Sequence, residues 1–295
     1  MERGKHLKLP TALFCSDLHL REDTPTCWIG DFQAEQWKAL QYIKDLQERF
    51  NIPVFIAGDI FHIWKSSPWL LSMTMNHFPK QAFCIAGQHD LPQHNLQLIN
   101  KSGLYTLAKA GYVTILNECH WEQDPIEGSY YFEEYDCHLL VWHKLVYQQK
   151  PFPGAEGGMA AGLLRKWKQF PTILCGDNHC SFSEEYQGRL LVNPGSLTRQ
   201  TADQIDFKPA VYLWFAEDNT VQRIYLPIVE GVISREHLDI KEQRNERIDA
   251  FVSKLNDEYQ AEMSFEENLE SFFNINNVRE PIKGIIYKSL ENGKT

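Results

Sequence analysis

The chain has 295 residues, 43% of them hydrophobic, which is enough to bury a substantial core in one large α/β domain or in a domain with an appendage. Its formal charge of −10 at pH 7 excludes a protein that coats nucleic acid with uniformly basic surface, because Lys and Arg supply most nonspecific phosphate affinity; a site gripping one phosphate is still allowed. No stretch has the apolar run of a signal peptide or a membrane span, so a soluble cytoplasmic protein with no membrane partner is expected.

In chain order, the first apolar, β-favouring run is TALFCS, and it leads into SDLHL with Asp17 and His19. In AEQWKALQYIKDLQERF, residues Trp37, Leu40, Ile43, Leu46 and Phe50 recur at three- and four-residue steps, which predicts an amphipathic helix packed on a sheet. PVFIAG then runs into Asp59 of AGDIF, and QAFCIAG runs into Gln88, His89 and Asp90 of AGQHD. The middle is richer in β signal: YVTIL, SYYFEEY and CHLLVWH predict a second sheet, and the last of them ends at His143 of VWHK. PFPGAEGGMAAG reads as a loop before the helix-like GLLRKWKQF. PTILCG leads into CGDNH with Asp177 and His179, and GRLLVNPG follows. KPAVYLWFAEDNTVQRIYLPI reads as two strands joined by the turn EDNT.

Strand alternating with helix predicts a layered α/β core. From about Ser234 the composition shifts to charged helix formers, with Ile248, Phe251, Val252, Leu255, Tyr259 and Met263 on one helical face and a second apolar cluster at Phe265, Leu269, Phe272 and Phe273. The expected division is therefore a first domain over residues 1–233 and a helical C-terminal extension over 234–295. That extension either packs back on its own domain or offers its apolar stripe to a partner. The seven cysteines are odd in number and form no C-x-x-C pair, and Cys15, Cys84, Cys137 and Cys175 lie at or near apolar runs, so they read as reduced residues.

The chemistry lies in five blocks at predicted strand ends. Divalent ions at phosphoryl-transfer sites take carboxylates, imidazoles and amide oxygens, and consecutive strands of an α/β sheet deliver their C-terminal ends to one edge. Each block alone has an ordinary reading: Asp59 as a helix N-cap after a glycine turn, His143 as a core histidine beside Trp142. Their joint order is the signal. Trp28, Trp64, Trp69 and Trp142 lie near the motifs and either fill the core or stack a base.

The series resembles the calcineurin-like metallophosphoesterase family, whose pattern is D-x-H, G-D, G-N-H-D/E, a lone H and G-H-x-H, and the likeness extends through Pro194-Gly195-Ser196. Within the family, the GDIF, GQHD and NPGS blocks are most similar to the SbcD-type nuclease subunits of DNA repair complexes. The resemblance implies a layered metallophosphoesterase-like β-sandwich flanked by helices, with a helical C-terminal appendage. It also implies two divalent metal ions, with Asp17, His19 and His179 on the first, Asp59 bridging and His143 on the second. Gln88 stands where the family has Asn, and Asp177 where it has the first His of the last motif. Both keep an oxygen, and the oxygen-richer shell favours Mn²⁺, with Mg²⁺, Fe²⁺ or Zn²⁺ as alternatives. Water activated between two ions would attack phosphorus in line, His89 would protonate the leaving oxygen, and Asp90 would hold the orientation and charge of His89.

The resemblance further implies a DNA nuclease or exonuclease acting with an SbcC-like coiled-coil ATPase that engages the C-terminal helices; homo-oligomers are left open. The alternative, a phosphodiesterase or phosphatase for a nucleotide or other small phosphoester, would need no basic surface and would suit an acidic chain. A third reading is a binding module that lost catalysis through Gln88 and Asp177. Against it, a non-catalytic fold gains nothing obvious from clustering Asp17, His19, Asp59, His89, His143 and His179.

Overall fold

The computed structural model describes residues 8–116, 127–150, 152–257 and 264–292. The chain forms two compact units, Met1–Ser234 and Arg235–Thr295.

In the first unit the strands are β1 (Ala12–Cys15), β2 (Val54–Ile56), β3 (Ala82–Cys84), β4 (Val113–Ile115), β5 (Glu127–Phe132), β6 (Cys137–His143), β7 (Val146–Tyr147), β8 (Gly158–Met159), β9 (Thr172–Gly176), β10 (Phe182–Tyr186), β11 (Arg189–Asn193), β12 (Ala210–Phe215) and β13 (Thr220–Tyr225). The helices are α1 (Phe32–Phe50), α2 (Pro68–His77), α3 (Gly103–Lys109) and α4 (Ala160–Lys166). One sheet has the order β13-β12-β1-β2-β3-β4 and the other β10-β11-β9-β6-β5, while β7 and β8 pair separately. Strands β1 to β4 are parallel, as are β6, β9 and β11, so within each sheet the motif-bearing strand ends point the same way.

The apolar runs build this because each central strand is buried on both faces and its alternate residues enter different cores. Ala12, Phe14, Phe55, Leu139, Val141 and Leu174 face one another between the two sheets, with Phe14 stacked on Trp214 at 5.6 Å. Their neighbours Leu13, Cys15, Val54 and Ile56 pack on the other side against α1, through Leu40, Ile43 and Leu46. Leu140, Trp142, Ile173 and Cys175 likewise pack against Leu164 of α4 and Trp167. The result is four layers, helix, sheet, sheet and helix, the α/β sandwich expected from the sequence. Helix α1 is started by the Asp31 carboxylate, which accepts from the Ala34 N–H, and stopped by Asn51 in the left-handed conformation.

Some local expectations shift. YVTIL forms β4 at the edge of the first sheet, whereas SYYFEEY and CHLLVWH form β5 and β6 of the second. A three-residue strand carries too little pattern to choose between sheets. The helix expected in GLLRKWKQF begins earlier, at Ala160, and ends at Lys166, while Gly158–Met159 of the expected loop pairs with β7. Cys15, Cys84, Cys137 and Cys175 are free and buried. Among the described residues no helix is long and apolar enough to cross a membrane.

The second unit contains α5 (Glu236–Asp257), α6 (Phe265–Ile275) and α7 (Glu280–Asn292). Leu269, Phe272 and Phe273 are buried against Phe251, Ile286, Tyr287 and Leu290. Helix α6 opens with a reciprocal cap between Ser264 and Glu267. Tyr259 and Met263, placed by their spacing on the stripe of α5, lie outside the described residues.

Candidate metal centre

The motif residues leave their strands through unusual backbone. Asp17, His19, Asp59 and Asp177 all have positive φ, at 49°, 44°, 52° and 76°. Left-handed backbone is costly for residues with a side chain and persists where surrounding structure over-determines it, often at functional sites. Here it turns each chain sharply after β1, β2 and β9, so that side chains from separate strands converge. Two glycines permit close approaches at the centre, Gly87 between neighbouring strands of the first sheet and Gly176 between the two sheets. A Cβ on Gly87 would lie 2.0 Å from Asp59 Oδ1, and one on Gly176 would lie 2.1 Å from the Ala57 carbonyl oxygen.

Five motif side chains meet directly. His19 Nε2 lies 3.2 Å from His179 Nε2, and ligand atoms of Asp17, His19 and His179 all lie within 4.8 Å of one another. Asp17, Asp59 and His143 form a second such group. The carboxylate of Asp59 stands between the halves: its Oδ2 is 3.6 Å from His19 Nε2 and 3.4 Å from His143 Nε2. Donors sharing one ion at bonds of about 2.0–2.1 Å are separated by roughly 2.8–3.4 Å at right or tetrahedral angles, so the 3.2 and 3.4 Å spacings fit ligation and the 3.6 Å spacing is a little wider.

Unpaired atoms give a second test of fit. Asp59 Oδ2 and His143 Nε2, which face each other at the centre, are buried with no hydrogen-bond partner. Buried polar atoms are normally satisfied, so a facing pair of unsatisfied ones suits an ion bound between them. His143 is also oriented for ligation. Its Nδ1–H donates to the Ala57 carbonyl at 2.6 Å, which aims Nε2 at Asp59.

The electrostatics follow from dense burial of like and opposite charge. Burial raises the Asp17 carboxyl, opposed by His143 and His179. Burial also raises Asp59, but contact with His143 and the His143 and His19 charges outweigh it and hold the group down at about 2. For His143, burial lowers the value and Asp59 and Asp17 overcome that, bringing it up to about 10. His19 is pushed well below its usual value by burial, against the pull of Asp59. Without a cation, Asp59 and His143 are therefore an ion pair.

Gln88 and Asp177 are brought together at the same edge. Gln88 Nε2 donates to Asp177 Oδ1 at 2.6 Å, and that oxygen is 3.9 Å from His143 Nε2. The Asp177 backbone N–H donates to the Asp17 carboxylate at 3.0 and 3.2 Å, tying the two halves of the centre.

His89 and Asp90 sit on a 3-10 turn over Gln88–Asp90. The His89 backbone N–H donates to Asp59 Oδ1 at 2.9 Å, and its ring lies edge-on to His19 with centroids 4.9 Å apart. The expected contact between Asp90 and the His89 ring is not the one present. The His89 Nδ1–H donates to the His62 carbonyl at 2.8 Å, which leaves Nε2 as the free nitrogen. Asp90 is fully buried and accepts from the backbone N–H groups of Ile60, Phe61 and Gly87 at 3.1, 2.9 and 3.0 Å. It pins the loops that carry Asp59 and His89, because carboxylate geometry matches several converging amides better than one ring. Burial and the Asp59 charge, opposed by these amides, bring its carboxyl up to about 7.

His62, three residues beyond Asp59, was not singled out by the sequence motifs. Its ring stacks on His89 at 5.5 Å and it joins His19 and His89 in a third group of ligand atoms. Burial, with Arg21 and His89 adding to it, brings His62 down to about 4, so it is neutral at pH 7. Of the four tryptophans near the motifs, Trp28 and Trp142 are buried, Trp64 is half-buried, and Trp69 is exposed and packs edge-on against Trp37.

An α/β sandwich that gathers carboxylates and imidazoles at its strand ends is the framework of a metal-dependent phosphoesterase. The sequence profile described as calcineurin-like phosphoesterase matches residues 10–226, and the chain belongs to that family. No curated protein matches the sequence closely enough to count as a relative. Among solved structures, an archaeal phosphodiesterase is similar at 14% identity over 73% of this chain and 99% of the other, with a TM-score of 0.43.

Proposed function

We propose that the protein is a two-metal phosphodiester hydrolase acting on DNA, with the residues of the candidate centre as its ligands. The observation that carries the two-metal reading is the unpaired Oδ2 of Asp59, placed 3.6 Å from His19 Nε2 and 3.4 Å from His143 Nε2. Asp17, His19 and His179 would hold one ion on one side, and His143 with Asp177 and Gln88 would hold the other. Divalent ions bound there would supply Lewis acidity to the phosphate oxygens and lower the pKa of a bound water. Manganese suits the oxygen-rich second half.

The chain's own residues supply the remaining chemistry. His89 presents Nε2 to the leaving oxygen while the His62 carbonyl fixes its ring, and a proton at Nε2 passes to the leaving group. Asp90 is a positioning residue that holds both loops through their amides. The choice of DNA is supported by the likeness of GDIF, GQHD and NPGS to SbcD-type nucleases. A partner of the SbcC-like coiled-coil kind is supported by a groove of about 530 Å³ in the helical unit, lined by Ile248, Val252, Ile282 and Ile285 with Arg244 and Arg247, which suits an apolar helix flanked by acidic residues.

Incubation with Mn²⁺ and single-stranded DNA, duplex DNA, RNA and cyclic nucleotides, beside Asp59→Asn, tests the reading. Cleavage of DNA by the wild type and its loss in the variant are expected. Cleavage of only the small substrates, which the charge of −10 would suit, overturns the nuclease assignment.

A further inference from the structure

Beside the metal centre lies an arginine that the mechanism does not use. Arg21 follows His19 by two residues, and an isolated parallel bridge between Leu20 and Phe61 places it next to His62. Its backbone is clamped from α1: the Arg21 N–H donates to Gln36 Oε1 at 3.1 Å, and the Arg21 carbonyl accepts from Gln36 Nε2 at 2.8 Å and Gln33 Nε2 at 2.9 Å. Gln36 is itself buried, and its amide also donates to Gln33 Oε1 at 2.7 Å.

The guanidinium is fixed as well. Nη1 donates to Gln200 Oε1 at 3.2 Å, while Gln200 Nε2 donates to the His19 carbonyl at 3.2 Å and to Thr198 Oγ1 at 3.1 Å. One glutamine thus joins the guanidinium to the backbone of a metal-site residue. The opposite edge of the guanidinium, Nε and Nη2, donates to the two oxygens of Asp23, with Nε at 2.9 Å from Oδ1. The Arg21 side chain is 14% exposed and that of Asp23 is 66% exposed.

An ordinary surface ion pair does not account for this asymmetry. Such pairs contribute little, and both side chains are usually free to move. Here the backbone is clamped by Gln33 and Gln36, Gln200 holds one edge of the guanidinium, and Asp23 on the other edge is the member that faces solvent. A guanidinium fork matches phosphate as well as carboxylate, with two parallel N–H···O bonds. The surrounding site is rich in Asp, so a fixed positive group also offsets the repulsion that a polyanionic substrate meets there. Its charge is close enough to His62 to help keep that ring neutral.

We propose that Arg21 is a binding residue for a second phosphate, the one neighbouring the scissile diester, and that Asp23 occupies its fork until the substrate displaces it. This rests on the phosphoesterase reading of the adjoining centre and deepens it: the substrate class is a nucleotide chain or bisphosphorylated nucleotide, and a lone phosphoester forgoes the contact. No covalent step is involved, only exchange of one anion for another on the same N–H groups.

Calorimetric titration of the full chain with Mn²⁺, kept cold, compares thymidine 3′,5′-bisphosphate with thymidine 3′-monophosphate. The wild type binds the bisphosphate more tightly. Arg21→Gln erases that advantage by about tenfold, the scale of lost charge-assisted hydrogen bonds, and Arg21→Lys restores only part of it. Asp23→Asn tightens the bisphosphate by freeing the fork, which keeps the proposal open to refutation should Arg21→Gln fold poorly. Equal weakening of both ligands by Arg21→Gln, no weakening of either, or no effect of Asp23→Asn on the bisphosphate overturns the proposal. Hydrolysis of bis(p-nitrophenyl) phosphate by the same wild-type preparation separates the two readings: no turnover overturns the phosphoesterase reading, while the titration still decides the role of Arg21.

Discussion

His143 Nε2 lies 3.4 Å from Asp59 Oδ2, and neither atom has a hydrogen-bond partner, although both are buried and each favours the charged form of the other. Two such groups, one from each sheet, form a place for a cation that the fold keeps ready.

Metal uptake should therefore expel a proton. The His143 value of about 10 means that the ring is protonated in the metal-free protein at neutral pH, and ligation needs the neutral imidazole. The sign follows: apparent metal affinity rises with pH until about 10, and His143 contributes one released proton per chain at pH 7 to 8. Calorimetry of Mn²⁺ binding in buffers of differing ionisation enthalpy measures that number. Zero release would show that the ring is not displaced from its ion pair.

His89→Asn should bind metals as the wild type does. It should hydrolyse esters of poor leaving groups more slowly by about 10²- to 10⁴-fold, the usual cost of losing a general acid, with a smaller loss for p-nitrophenolate esters. A series of aryl phosphodiesters of graded leaving-group pKa reads this out, and an unchanged slope against that pKa removes His89 from proton transfer.

Asp177→Ala separates a ligand from a loop carboxylate. Asp177 Oδ1 accepts from Gln88 and lies 3.9 Å from His143 Nε2, so its loss should weaken the second ion and leave the first, with Asp17, His19 and His179, in place. Metal analysis after dialysis is expected to fall from two ions per chain toward one. Two retained ions with full activity would make Asp177 a positioning residue only.

Gly176→Ala tests the closeness of the two sheets. The added Cβ meets the Ala57 backbone carbonyl oxygen at 2.1 Å, so the backbone must move. Destabilisation of about 1–3 kcal/mol is expected from overpacking, together with weaker metal binding because Ala57 also holds His143. Urea denaturation gives the first quantity, and an unchanged midpoint would show that the sheets can part without cost.

Much of this was legible in the sequence because the central strands are short apolar runs buried on both faces, each bounded by a glycine or polar turn: TALFCS, PVFIAG, QAFCIAG, CHLLVWH and PTILCG became β1, β2, β3, β6 and β9. Helix α2 has a recognisable start at Ser67 and Pro68, with the Ser67 hydroxyl accepting from the Leu70 N–H, but only Leu70 and Thr74 are buried, so no apolar periodicity marks it. His62 matches no motif, and its place in the site depends on stacking and on a carbonyl contact that spacing does not reveal. The left-handed turns at Asp17, His19, Asp59 and Asp177 are set by tertiary contacts from other strands, so no local propensity marks them. The same holds for Gln36, an α1 residue whose amide reaches the backbone of Arg21.

The central claim is that Asp59 bridges two ions. Electron paramagnetic resonance of the Mn²⁺-loaded full chain tests it most directly, with metal content measured on the same sample. The account predicts two ions per chain with an exchange-coupled spectrum, lost in Asp59→Asn. Two uncoupled ions in the wild type, or a coupled pair that survives Asp59→Asn, would contradict it.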